Sequence, residues 1–354
     1  MERNEASCSE RDRKIDTLRS FCNLMIVVWH AWAVYRFCPK IPFEFYFWKG
    51  LCGLMTVTMP AFFFLSGYLL MHNLNRITVM QKIARRVKRL FVPYVIWNLI
   101  FVVFLLMLHG THGFVKDFFG SRTFSWQSIR PLVFDLSAFP ADTPLWFLRA
   151  LLIYSLVGMP FLLVMKRKYG PLLVFTCLFV YLGFAEFSGL ERGFEYSYPA
   201  YSMLAFLFGA LFMTKGISPF TFFSRWYFVV CGFAGICGMA LYTIVFRDAC
   251  WLKNLAFVLE LPLMFIIVQR FGEWFMRSLF FDRVNNAFFF IYCSHWLICP
   301  LLVSLVYPIF VDMLGSLSMF ILVFIVAGIP VIVYLHDIMV RILPRLIKVL
   351  NGRL

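Results

Sequence analysis

The chain has 354 residues, of which 62% are hydrophobic and 14% charged, and its mean hydropathy is +0.82. Soluble domains are about a quarter charged and about half apolar, so this composition excludes an ordinary soluble domain and reads as an all-α, polytopic integral membrane protein. A net charge of +15 would suggest nucleic acid in a soluble protein; in a membrane protein, Lys and Arg collected in cytoplasmic loops and facing anionic lipid account for it, and nucleic acid is not an expected partner.

The first 16 residues, MERNEASCSERDRKID, are polar, and no short apolar stretch with a small-residue cleavage site follows them. The first hydrophobic segment therefore reads as a retained helix. A spanning helix needs about 20 mostly apolar residues. About ten segments qualify: 17–37, 49–72, 91–109, 144–165, 171–188, 198–214, 226–246, 253–270, 286–308 and 316–338. With the N-terminus inside, the inner segments are 1–19, 73–90, 166–170, 215–225, 270–285 and 339–354. These hold about 23 of the 33 Lys and Arg, the bias expected of cytoplasmic loops. Both termini are then cytoplasmic.

The longest outer loop, 110–143, carries Phe114, Phe118, Phe119, Phe124 and Trp126 and reads as a lid or re-entrant segment. No low-complexity linker interrupts the chain, which predicts a single domain over 1–354. There are 10 Cys and no CxxC. Cys22, Cys52, Cys177, Cys231, Cys237, Cys293 and Cys299 fall in apolar runs, where free Cys behaves as a small hydrophobe. Cys38 and Cys250 fall outside, where a disulfide between them is open. "AFFFLSGY" from Ala61 and "AFFFIYCSH" from Ala287 echo each other on helices of opposite direction. That is an inverted repeat or a coincidence among 45 Phe.

An ionisable residue inside a membrane is costly and marks a candidate site. In "LRSFCNLMIVVWH", His30 lies eleven residues past Arg19. That is roughly 16 Å along a helix, near the bilayer midplane and on nearly the same face. Asp16 is placed to pair with Arg19. Two readings stand: an anchoring Arg with a structural His, or a slot with Arg19 at its cytoplasmic mouth and His30 at its bottom. In "NNAFFFIYCSHWLI", His295 lies at a similar depth, roughly 13 Å from the cytoplasmic end of its helix, with Tyr292 three residues before it. It is either a second cavity-lining histidine or a structural hydrogen-bonding group.

The segment "QKIARRVKRLFVPYVIW" puts Lys82, Arg85, Arg86 and Arg89 on one helical face ahead of Pro93. Such a cluster is either a topogenic charge run or a site for a ligand with several phosphates. Ser66, Gly67 and Tyr68 of "FFFLSGYLL" fall near the same inner surface, with Gly67 permitting close approach of a helix or ligand. On the outer side, "DTPLWFLRALL" offers Trp146 as interface belt or sugar platform. Arg149 in the same stretch is a snorkelling cation or an acceptor-holding one. Glu260 in "LELPLMF" is a further intramembrane charge and a candidate partner for Arg149 or a histidine. His72, His109, His112 and His336, near membrane edges, take no role. HExxH, GxSxG, Walker A and zinc spacings are absent, which argues against a metalloprotease, a serine hydrolase elbow, a P-loop ATPase and a metal site.

Taken in order, these motifs resemble the acyltransferase-3 family of integral membrane acyltransferases, over nearly the whole chain. The resemblance rests on Asp16, Arg19 and His30; on "FFxxSGYLL" from Phe63 to Leu70; and on "RLxxPYxxW" from Arg89 to Trp97. It continues in "PLWFLxxLL" from Pro144 to Leu152, "FxIYxxHW" from Phe288 to Trp296, and the tail "NGRL". Many members carry "GVDxFFxxSG" before the Ser-Gly; this chain has "TVTMPAFFFLSG", without that acid. The resemblance implies an acyl-CoA donor, usually acetyl-CoA, entering from the cytoplasm. Its phosphates would meet Arg19, Lys82, Arg85, Arg86 and Arg89, with Ser66 and Tyr68 beside them, and its pantetheine arm would run toward His30. It implies acyl transfer to a hydroxyl of a lipid-linked or cell-surface glycan across a cell membrane, bacterial inner membrane included. His30 would be base or acyl carrier; Tyr292, His295 or Arg149 would stabilise charge or position the acceptor, with Trp146 and Glu260 nearby. Two alternatives remain at this stage: a proton-coupled secondary transporter built on midplane His and Arg, and an acyl-binding sensor.

Overall fold

The computed structural model describes residues 2–35, 44, 47–48, 50–51, 55, 57–72, 79–108, 140–188, 200–244, 250–307 and 316–352. Residues 109–139, which hold most of the expected outer loop and His109 and His112, lie outside the described residues, as do Cys38 and Cys52. Among the described residues every regular element is helical. In chain order these are α1 (Glu2–Tyr35), α2 (Thr58–Met71), α3 (Val79–Leu108), a single tight turn (Thr143–Leu145), α4 (Trp146–Met165), α5 (Gly170–Ser188), α6 (Ala200–Thr214), α7 (Pro219–Phe223) and α8 (Trp226–Ile244). Then follow α9 (Cys250–Met276), α10 (Leu279–Tyr307), α11 (Leu317–Val323), a wide π turn (Phe324–Gly328), α12 (Ile329–Ile342) and α13 (Pro344–Leu350).

Among the described residues, three helical runs are long and apolar enough to cross a membrane: Gln81–Phe104, Leu252–Phe275 and Ile321–Ile342. Shorter apolar helices cover Thr58–Met71, Thr143–Gly158, Ser202–Thr214 and Trp226–Tyr242. Two boundaries differ from the sequence expectation. The basic run at 82–89 is not a loop but the opening turns of α3, because it contains no Gly or Pro before Pro93 and its Lys, Arg, Gln and Ala are good helix formers. The polar N-terminus is also helical, so α1 extends over 34 residues.

The chain forms two compact units, each assembled from separate stretches of sequence. The first comprises Met1–Cys22, Thr56–Arg86 and Ala150–Asn285. Its core is aromatic. Phe64 sets its ring 5.2 Å from Phe212 and 5.1 Å from Phe265, and Phe223 lies 5.4 Å from Phe212 and 5.2 Å from Phe265. Offset and edge-on ring contacts of this kind add to simple area burial. Helices α2 and α6 meet through reciprocal glycines. A Cβ on Gly67 would lie 1.8 Å from the Phe206 carbonyl oxygen, and one on Gly209 would lie 1.9 Å from that of Phe64. The close approach that the Ser-Gly-Tyr motif suggests is thus an approach of backbone to backbone, as small residues allow in membrane helices. Tyr154 and Ser202 join α4 to α6 through a 2.6 Å hydroxyl pair.

The second unit comprises Asn23–Met55, Val87–Arg149 and Asn286–Leu354. Pro93 lies inside α3 and has no amide hydrogen to offer the Arg89 carbonyl one turn back. The C-terminal Asn-Gly closes onto that place. Gly352 has φ +64°, the left-handed region that favours glycine, and a Cβ there would fall 2.3 Å from the Arg89 oxygen. Trp97 Nε1 donates to the Leu350 carbonyl at 3.2 Å, fixing the end of α13 against α3.

Gly67→Ala is expected to destabilise by about 1–3 kcal/mol or more, since the added methyl meets backbone that has no rotamer to yield. Gly50→Ala, where a Cβ meets nothing within 4 Å, is the matched control. Thermal midpoints of both variants in one detergent check this; equal midpoints would refute the glycine contact.

Candidate active site

The second unit pairs the part of α1 from Asn23 onward with α10. Asn23 Nδ2 donates to the Phe288 carbonyl at 2.8 Å, and His295 Nε2 meets His30 Nδ1 at 3.2 Å; each pair is 265 residues apart in sequence. A constant offset means that the two helices run parallel and in register. Residues seven apart return to the same face of packed helices, so the Asn23 contact carries forward two turns to the histidines. Their ring centroids are 4.8 Å apart, and Trp296 sets its ring edge-on 5.2 Å from His30. His30 is 5% exposed and His295 fully buried.

The backbone assigns the protons. His30 Nδ1 lies 2.9 Å from the Ile26 carbonyl, and His295 Nδ1 lies 3.1 Å from that of Ile291. A carbonyl only accepts, so each neutral imidazole carries its hydrogen on Nδ1. His295 Nε2 is then a bare acceptor turned toward the His30 Nδ1–H. What remains on His30 is the Nε2 lone pair. An imidazole whose far nitrogen donates to fixed acceptors is a better base, because the imidazolium it forms is already hydrogen-bonded.

One turn before His295, Tyr292 is buried and its hydroxyl donates to the Pro144 carbonyl. The turn that begins α4 is thereby tied to the histidine helix. Asn98 of α3 holds the same turn from the other side, its Oδ1 accepting from the Asp142 amide at 3.2 Å. Asp142 is 1% exposed, and burial holds its carboxyl well above the ordinary carboxylate range. Asn23, Asn98, Asp142 and Trp296 were not singled out from sequence. Asn23 had a signal: it shares the stripe of Arg19 and His30 at helical spacing. Asp142 sits just ahead of a hydrophobic segment, where an acid reads as an ordinary loop residue.

The other expected site residues fall as follows. Arg19 Nη1 bonds the Asp16 carboxylate at 3.2 Å, with both side chains partly exposed. Lys82 Nζ donates to the His72 carbonyl, and Arg86 Nη1 to that of Ser66 at 3.4 Å, so both cations fold onto the end of α2. Arg85 and Arg89 are exposed. Tyr68 is 1% exposed and stacks on Phe64, within the first unit's core. In the second unit, Arg149 is 3% exposed and Trp146 is half-buried at the start of α4. Glu260 packs against Gly235 in the first unit, and neither of its carboxyl oxygens has a hydrogen-bond partner among the described residues.

Tyr292→Phe removes the hydroxyl donor to the Pro144 carbonyl, which keeps the Trp146 amide as a partner. The expected loss is about 0.5–1.5 kcal/mol, read as a lower thermal midpoint. A midpoint equal to wild type would mean that the hydroxyl does not tie the turn to α10.

A family model described as an acyltransferase domain, Acyl_transf_3, matches residues 12–336. No curated protein and no solved structure matches the chain. The match takes in the helix that carries Asp16, Arg19 and His30, the turn at Pro144 and the helix that carries Tyr292 and His295, and it ends within α12. It gives no support to the transporter alternative. On that coverage the chain belongs to the acyltransferase-3 family of integral membrane acyltransferases.

Proposed function

We propose that this protein moves an acyl group, acetyl in the simplest case, from cytoplasmic acyl-CoA to a hydroxyl of a cell-surface or lipid-linked glycan, with His30 as the base. The observation that carries the reading is the His30–His295 pair, whose tautomers leave one bare nitrogen, His30 Nε2. In the transfer, Nε2 takes the proton of the acceptor hydroxyl as its oxygen attacks the thioester carbonyl. The carbon–sulfur bond breaks and the CoA thiolate takes the proton back from the imidazolium. His295 holds the imidazolium by accepting from Nδ1–H. In this reading Arg85 and Arg89 on α3, exposed like Lys88 between them, meet the donor's phosphates, and Arg19 is assigned to the same cytoplasmic end. Arg149 and Trp146 lie on the acceptor side. The membrane is a cell membrane, the inner membrane in a bacterium, and no metal takes part.

His30→Ala should lower CoA release from radiolabelled acetyl-CoA by about 10²–10⁴-fold, the usual worth of a general base. Label kept on wild-type protein would assign His30 as an acyl carrier instead. Release that does not depend on His30 would overturn the reading.

Arg85→Ala and Arg89→Ala should raise the KM for acetyl-CoA several-fold, with the difference shrinking as salt rises. Lys82→Ala should act more through the packing of α2. A KM indifferent to Arg85 and Arg89 would move the phosphates elsewhere.

A further inference from the structure

Asp142 occupies the residue just before the tight turn Thr143–Leu145, the position from which an aspartate ordinarily caps a helix by accepting from its first amides. It makes no such cap. Both carboxyl oxygens are buried and have no hydrogen-bond partner among the described residues. The backbone around it is fully used. Its amide donates to Asn98 Oδ1 at 3.2 Å, its carbonyl accepts from the Leu145 amide at 2.9 Å, and Pro144 receives the Tyr292 hydroxyl. Ala141, the residue before it, belongs to a buried cluster with Phe101 and Val102 on which Trp296 packs. The segment that carries the carboxyl thus meets α10 at Tyr292 and at Trp296, and the Trp296 ring lies 5.2 Å from that of His30.

A bare buried carboxyl is expensive. Local structure does not use this one, although local structure fixes its place on three sides. We propose that the Asp142 carboxyl binds hydroxyl groups of the acceptor beside the one that reacts at His30, and so selects an acceptor with neighbouring hydroxyls, a polyol or sugar. Two oxygens on one carbon match two hydroxyls on adjacent carbons. Held neutral by its burial, the group can donate one hydrogen bond as well as accept. The proposal rests on the reading of His30 as the base for transfer to a hydroxyl.

The test uses the full-length protein in nanodiscs, radiolabelled acetyl-CoA, and the glycan and glycolipid extract of the expressing cells as acceptor. Wild type, His30→Ala, Asp142→Ala and Asp142→Asn are compared. The readouts are base-labile label in the extract as a function of extract concentration, CoA released without extract, and the thermal midpoint. Asp142→Ala should raise the extract concentration for half-maximal transfer about tenfold, the worth of one well-placed hydrogen bond. Its transfer should fall far more than its acceptor-free CoA release. Asp142→Asn, which keeps one acceptor oxygen and the shape, should shift less and decides the matter if the alanine variant does not fold. An unchanged half-saturation would overturn the proposal, as would transfer and acceptor-free release falling together. Transfer in wild type that ignores His30 would overturn the base reading itself, a result distinct from either.

Discussion

The arrangement of the second unit depends on one constraint, the parallel, in-register packing of α1 on α10. An amide–carbonyl bond from Asn23 to Phe288 sets the register, and two turns later that register brings His30 onto His295. In an apolar medium such bonds cannot be exchanged for water, so a one-residue slip would strand the Asn23 amide and separate the two imidazoles together. The same packing sets the chemistry. Each histidine donates to a carbonyl of its own helix four residues back, and those two helical carbonyls hold the tautomers. The tautomer of His30 is thus a product of helix geometry as much as of the side chain.

The turn before α4 depends on the same helix. Tyr292 reaches from α10 to Pro144, and Asn98 reaches from α3 to Asp142. These two contacts hold the backbone of the turn, while the carboxyl it carries has no hydrogen-bond partner among the described residues. The proposed acceptor role uses that combination: a group placed by its backbone and open to a foreign hydroxyl.

The first unit is held differently. Its aromatic core and the paired glycines of α2 and α6 bring backbones into direct contact and leave little polar demand. Lys82 and Arg86 bind carbonyls at the end of α2, so half of the basic run serves the fold in addition to any ligand. A glycine at Gly352 repeats the device in the second unit. There the Pro93 ring frees a carbonyl, and the absence of a side chain lets the C-terminus approach it.

The sequence by itself determined the membrane class, the helical character, the family and the pairing of Asp16 with Arg19. Those follow from composition, from short-range periodicity and from motifs that any reader of one chain can count. It also marked both histidines, because a titratable group in an apolar run stands out wherever its partner lies. It did not decide between a helix and a ligand at Gly67, show that the basic run is continuous with the apolar helix that follows it, or show that Tyr68 is core. Only the tertiary structure decided these. It also decided which nitrogen of His30 meets His295 and that the Asp142 carboxyl is buried without a hydrogen-bond partner among the described residues, since both depend on groups far away in the sequence. Periodicity assigns a face to each helix; the register between two helices, which chooses the atoms that meet, is a property of their packing.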